Sequence, residues 1–185
     1  MIDRSDYSNL EHEIVFYSGV KSSDLIMDPL EFIKQSPTAV RSKFFSLLSL
    51  IAKAPPKRFS GGGYWEAMRG PMQGWQELRV GGPGRTHYRL FCILDYEALN
   101  YEKPLLVVIA GMKKKNGEVF SKFDYARVKN FGDEYLSKNP RQLDFLRLSQ
   151  SFFAWTLVAA LASAGSQALR QYQRWLRRLG LISLR

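Results

Sequence analysis

Four charged side chains fall two apart along two neighbouring runs. Glu77 and Arg79 belong to residues 74–80, His87 and Arg89 to residues 86–95, and Gly81-Gly82-Pro83-Gly84 lies between the runs. In an extended chain, residues two apart share a face, and a tight glycine-rich turn makes two such runs antiparallel neighbours. With Leu78, Val80, Tyr88 and Leu90 turned to a core, Glu77, Arg79, His87 and Arg89 stand together on the open face. Lys113-Lys114-Lys115 leaves the end of the following apolar run, so one sheet face and its rim gather two Arg, one His and three Lys.

Such a cluster suits an RNA phosphodiester. Guanidinium groups hold phosphate oxygens bidentately and stabilise the charge that develops in the transition state. Cleavage also needs a base for the ribose 2′-hydroxyl proton and an acid for the leaving 5′-oxygen. His87 and Glu77 are of the residue types that serve as base or acid, and a Lys crowded by other cations acquires a lowered pKa. No metal or other cofactor is expected: the chain has one cysteine and two histidines, His12 and His87, and no ligand cluster. The same pattern also fits plainer readings. Arg and Lys alternating with apolar residues can be simply a solvated sheet face. The Lys113–Lys115 run can be an exposed turn, and Glu77 can pair weakly with Arg79 or Arg89 across strands. His12, in the acidic N-terminal stretch, reads as incidental.

The elements that must carry these residues follow from periodicity. Glu13-Ile14-Val15-Phe16-Tyr17 is a β-branched and aromatic run that reads as an opening strand. Asp28-Pro29 is a helix start, with Asp28 as N-cap and Pro29 in the first turn. Ser36-Pro37 repeats the signal before a longer helix over 38–54, where Val40, Phe44, Leu47, Leu48 and Ile51 form one apolar face and Pro55-Pro56 ends it. Residues 59–74 are glycine-rich and read as an irregular loop with an aromatic anchor at Tyr64-Trp65. Strands over 74–80, 86–95 and 105–110, joined by short turns, make an antiparallel meander, and residues 123–137 form a closing helix with Asp124 near its start. The order predicts an α+β fold, a small antiparallel sheet with helices packed on one face, complete within residues 1–140.

Net charge is a poor guide here. The chain carries +10, but residues 141–185 hold seven Arg against one Asp, a net of +6 that leaves +4 for residues 1–140. This tail has no charged residue from Leu148 to Leu169 and then an Arg-rich end interleaved with Trp175, Leu176 and Leu179. It is long enough to span a membrane, which takes about 20 apolar residues, but it is diluted by Ser, Thr, Gln and Gly. An amphipathic or docking helix is the preferred reading, ahead of a non-native extension and of membrane contact. The single Cys92 lies in an apolar run and reads as a buried thiol. One cysteine and a polar N-terminus without an apolar signal core fit a reducing, cytoplasmic location.

The order and wording of these segments resemble the RelE/HigB toxin superfamily, particularly its phage-type HigB-like branch, over about residues 13–140. The resemblance rests on Glu13–Tyr17, Pro29-Leu30-Glu31-Phe32, Trp75-Gln76-Glu77-Leu78-Arg79, Tyr88-Arg89-Leu90-Phe91, the strand from Leu105 to Gly111, Lys113-Lys114, and Asp124-Tyr125-Ala126-Arg127. It implies a toxin of a type II toxin–antitoxin system, an mRNA interferase that enters the ribosome and cuts mRNA by 2′-hydroxyl attack, leaving a 2′,3′-cyclic phosphate. Its partners would be that mRNA and a cognate antitoxin, a small helix-turn-helix protein. Carried over by position, Arg79 and Arg89 stabilise the scissile phosphate, and Lys113 and Lys114 contact RNA or assist proton transfer. The candidate set is thus Arg79, His87, Arg89 and Lys114 for catalysis, and Lys113, Lys115, Arg85 and Lys122 for RNA contact. Two departures stand out. Phe120 occupies the place where some members put a catalytic tyrosine, leaving Tyr125 or His87 for proton transfer, and Glu77 stands where some relatives have Lys. They support an alternative, a non-catalytic protein on the RelE/ParE scaffold, either a gyrase-directed toxin or a degenerate toxin acting as a regulator.

Overall fold

The computed structural model describes residues 12–20, 23, 25–53 and 63–138. The tail from residue 141, with its helical and membrane readings, lies outside the described residues. Among those that are described, no helix is long and apolar enough to cross a membrane.

Glu13–Phe16 forms β1, Ile26–Met27 a two-residue β2, and Pro29–Gln35 and Thr38–Lys53 the helices α1 and α2. Trp65–Ala67, Trp75–Gly82, Thr86–Asp95 and Leu105–Lys115 follow as β3, β4, β5 and β6, and Lys122–Ser137 closes the unit as α3. The helix starts are set by local chemistry. The Asp28 carboxylate accepts from the Glu31 N–H at 3.0 Å, with Pro29 in the first turn. Ser121 and Asp124 form a reciprocal capping box at α3, Ser121 Oγ accepting from the Asp124 N–H and the Asp124 carboxylate from the Ser121 N–H.

The chain is α+β, with a mixed sheet in the order β1-β6-β5-β4-β3 and β2 alongside β6. The β3–β4–β5–β6 part is the expected antiparallel meander. β1 instead runs parallel to β6, pairing Val15 with Val107. A parallel neighbour needs a long crossover, and the chain between β1 and β6 contains both helices and the rest of the meander. β6 is thereby a central strand with partners on both sides, which explains its nearly unbroken apolar run from Leu105 to Met112.

Helices occupy both faces of this sheet. On one, α1 and α2 pack against Leu78, Val80, Tyr88 and Leu90: Phe32 stacks in tilted contact with Phe44 and Tyr88, at 6.2 and 6.0 Å between centroids. The same Phe32 fills the space where a Gly111 side chain would stand. On the other face, α3 lies over Trp75, Phe91, Ile93 and Val107. Its far end is fixed by a buried hydrogen bond from the Tyr135 hydroxyl to Asp95 at 2.9 Å. Helices on a single face would have left Trp75, Phe91 and Ile93 in water, an uncovered apolar patch of a kind monomers avoid.

Close approach of α3 depends on Gly132, because a Cβ there would run into the Trp75 indole and crowd Ile93. Gly132→Ala sets a helix-propensity gain of about 1 kcal/mol against an overpacking cost of about 1–3 kcal/mol. The rigid indole makes the second term win. A net loss of up to about 2 kcal/mol is expected, read as a lower urea midpoint at unchanged slope; a midpoint that rises would show that α3 is not wedged against Trp75.

Candidate functional site

The face under α3 changes character along each strand. On β4 the residues Trp75, Glu77, Arg79 and Gly81 point the same way, and their partners on β5 are Ile93, Phe91, Arg89 and His87. On β6, Met112 pairs with Arg89 and Lys114 with His87. Three strands therefore pass in register from an apolar end covered by α3 to a charged end left open. Burial follows the same order: Trp75 and Phe91 are buried, while His87 and Gly81 are exposed.

Glu77 lies at the boundary and is only 1% exposed. It is not the solvated partner of a surface pair. Its two carboxylate oxygens are split between the Arg79 Nε and an Arg89 terminal nitrogen, and Arg79 makes a further ion pair with Glu66 on β3. A buried carboxylate is tolerated when its lone pairs are filled by charged donors, and two guanidiniums supply them. The effect is to fix both arginines. The Arg89 side chain, 16% exposed, is more buried than that of Arg79 at 36%, and the Arg89 Nε is buried without a hydrogen-bond partner among the described residues.

Phe120 forms the wall of this cluster. Arg89 Cζ and Lys114 Nζ each lie 5.5 Å from the centre of its ring, a cation–π arrangement. Tyr125 from α3 meets Phe120 and Phe91 edge-on at 6.0 Å. Burial, followed by the nearby Glu77 charge, raises the Tyr125 pKa above its ordinary value of 10.0. Tyr125 is thus a poor base at neutral pH. Lys114 is shifted the other way: partial desolvation, then repulsion from Arg89, lowers its pKa, against the opposing pull of the Glu77 and Glu118 carboxylates. Its Nζ donates to the Glu118 carbonyl at 2.7 Å.

Beyond the arginines the sheet opens into a groove of about 590 Å³ lined by Gly63, Tyr64, Arg79, Gly81, His87 and Arg89. His87 stands at its edge with Nε2 3.3 Å from the Asn116 side-chain oxygen. Lys114 lies beside the groove rather than in its lining.

Arg79, Arg89, His87 and Lys114 thus share one face, as the strand period requires. Lys113 and Lys115 do not. They pair with Tyr88 and Thr86, so alternation sends them off the face that carries α1 and α2. The basic run is split two to one, and the sequence expectation of three lysines on one rim is corrected accordingly. Arg85 is exposed in the β4–β5 turn with a left-handed backbone (φ 54°), and its carbonyl accepts from the Asn116 N–H at 2.9 Å, joining the two turns beside the groove. Lys122 is exposed at the start of α3, one helical turn before Tyr125 and so on its side of the helix. The residues that sequence reasoning did not place at the site are Tyr64, read only as a loop anchor, Gly81, read only as part of a turn, Glu66 and Glu118. Tyr64 and Gly81 lacked any charge to mark them, and Glu66 and Glu118 acquire meaning only from strand pairing.

Among the described residues no group of three or more His, Cys, Asp and Glu side chains is placed to hold a metal ion. Cys92 is fully buried, and burial pushes its thiol pKa up, so it is a core group rather than a nucleophile. Comparison with protein-family models, with curated proteins and with solved structures yields no match.

Proposed function

We propose that the chain is the toxin of a type II toxin–antitoxin pair, a metal-independent endoribonuclease that cuts mRNA on the ribosome in the cytoplasm. The observation that carries this reading is the pair of guanidiniums, Arg79 and Arg89, fixed by one buried carboxylate at the edge of an open groove. Fixed charges beside a partly desolvated wall are what a phosphoryl transition state requires, because they need no reorganisation as charge develops.

In the proposed reaction the ribose 2′-oxygen attacks phosphorus and the bond to the 5′-oxygen breaks, leaving a 2′,3′-cyclic phosphate and a 5′-hydroxyl. His87 takes the 2′-hydroxyl proton and Lys114 delivers a proton to the departing oxygen, while Arg79 and Arg89 neutralise the non-bridging oxygens. Arg85 and Lys122 extend the contact with RNA along the exposed turns, and Lys113 and Lys115 meet ribosomal RNA or antitoxin on the far side of the hairpin. The antitoxin, a small helix-turn-helix protein, covers the groove.

The second reading, a binding protein on the same scaffold that poisons gyrase or serves as a regulator, is favoured by one feature. Glu77 and Glu66 already neutralise the two arginines. Induction of the chain in a translating extract separates the two. Endonucleolytic cuts ending in 2′,3′-cyclic phosphate, formed in the presence of a metal chelator and only with ribosomes, are the expected result. Intact mRNA accompanied by DNA damage would select the gyrase-directed protein, and intact mRNA without damage the regulator.

A further inference from the structure

Tyr64 and Gly81 take no part in the proposed proton transfers, yet both line the groove. Tyr64 is a large aromatic residue 51% exposed, and it is held rather than loose. Its carbonyl accepts from the Arg79 N–H at 2.7 Å, and Lys43 Nζ from α2 sits 4.4 Å from its ring centre. Across the groove stands His87, whose strand partner is Gly81. A Cβ built on Gly81 would meet nothing within 4 Å, so the strand is bare at this point of the groove lining. The guanidiniums of Arg79 and Arg89 close one end of this space.

From this arrangement we infer that the slot walled by Tyr64 and His87 and floored by Gly81 receives an unpaired nucleobase adjoining the phosphate held by Arg79 and Arg89. The inference rests on the RNA-cleaving reading of the same site and adds its base-binding subsite. A planar base needs a flat floor and an aromatic face, whereas an inorganic phosphate or an acidic peptide would use the arginines and leave Tyr64 idle. A base in a duplex is already stacked on both faces, so the slot selects single-stranded RNA. The volume of about 590 Å³ accommodates a nucleoside beside its phosphate. Stacking on Tyr64 tolerates any base; the Tyr64 hydroxyl and the His87–Asn116 pair at the rim supply the polar groups that can prefer one.

Gly81→Val gives a direct test, since a Cβ at this position meets nothing within 4 Å and β-branched residues suit strands. The full-length chain and its Gly81→Val, Tyr64→Ala and Tyr64→Phe variants are titrated with two labelled six-residue oligomers carrying 2′-O-methyl groups, which prevent cleavage. One is single-stranded RNA with its bases, and the other is the same ribose–phosphate backbone without bases. Gly81→Val and Tyr64→Ala should each weaken binding of the base-bearing oligomer on the order of tenfold and leave the abasic one unchanged, while Tyr64→Phe retains the native affinity. Equal binding of the two oligomers by the native chain, or native behaviour of both Gly81→Val and Tyr64→Ala, overturns the slot while the RNA reading stands. Failure of the native chain to bind either oligomer likewise overturns the slot, and the RNA reading is then decided by the ribosome-dependent cleavage assay in the translating extract.

Discussion

An Arg89→Ala chain should cleave mRNA on the order of a hundred- to a thousandfold more slowly than the native one, the usual effect of deleting one preorganised group that faces developing charge. Arg89 is expected to matter more than Arg79. It is the more buried of the two, it lies over Phe120, and its electrostatic interaction with the phosphate is less screened by water. The substitution has a second consequence, because it removes one of the two cations on buried Glu77. Breaking a buried pair costs about 3–5 kcal/mol, and since Arg79 still holds the carboxylate the lower end of that range applies. Loss of activity could then reflect loss of fold. The double variant Arg89→Ala/Glu77→Gln distinguishes the two effects: with the carboxylate neutralised, urea stability should recover while cleavage does not. Arg89→Lys keeps the charge but not the planar fork, and should fall between native and alanine. Native cleavage by a folded Arg89→Ala chain would remove the proposed mechanism.

Much of this site is visible in the sequence because strand alternation is a two-residue rule that needs no knowledge of the rest of the fold. Glu77, Arg79, His87 and Arg89 fall on one face in both the sequence and the structure, since the turn between β4 and β5 is short and fixes their register. The helices are legible for the same reason: the Asp28 cap, the α2 stripe and Asp124 near the start of α3 are all local. What the sequence concealed depends on long-range contacts. Glu77 is buried in a cluster that brings Tyr125 of α3 within electrostatic reach, a neighbour remote in sequence, so the carboxylate reads in the sequence as one half of an exposed pair. The split of Lys113–Lys115 follows from alternation once β6 runs on through Lys115, but which face each lysine takes depends on how β6 registers with β5, and that register contains an irregularity at Phe91/Cys92 which no local signal announces. β2 and β3 are two and three residues long, too short to show a period. The parallel pairing of β1 leaves no mark in its own four residues. Phe120 is the most instructive position. As a letter in the sequence it signals a missing proton donor, whereas in the structure it is the apolar wall on which two cations rest, one of them Lys114, whose pKa desolvation by burial lowers.

Lys114 therefore carries the second large expected effect. Lys114→Ala should slow cleavage by on the order of a hundred- to ten-thousandfold, the range for loss of a general acid, and Lys114→Arg should not restore it because a guanidinium does not release its proton at these pH values. The pH profile gives the sharper test. An acid must be protonated to act, so the rate falls as pH rises through the Lys114 pKa. Because that pKa lies below the ordinary lysine value, the alkaline limb should begin at lower pH than an unperturbed lysine would give. The Glu118 carboxylate favours the charged amine and opposes the lowering. Glu118→Gln removes that support yet keeps an oxygen to accept from the Lys115 N–H, which now donates to the Glu118 carboxylate at 2.7 Å. The alkaline limb of Glu118→Gln should consequently move to lower pH, with the plateau rate nearly unchanged. The opposite assignment, with Lys114 as the base, places its pKa on the acidic limb, and the same substitution would then extend activity toward lower pH while the alkaline limb stays in place. The direction in which one limb moves thus identifies which proton Lys114 handles, and an unmoved profile in Glu118→Gln together with native rates in Lys114→Ala removes it from the chemistry.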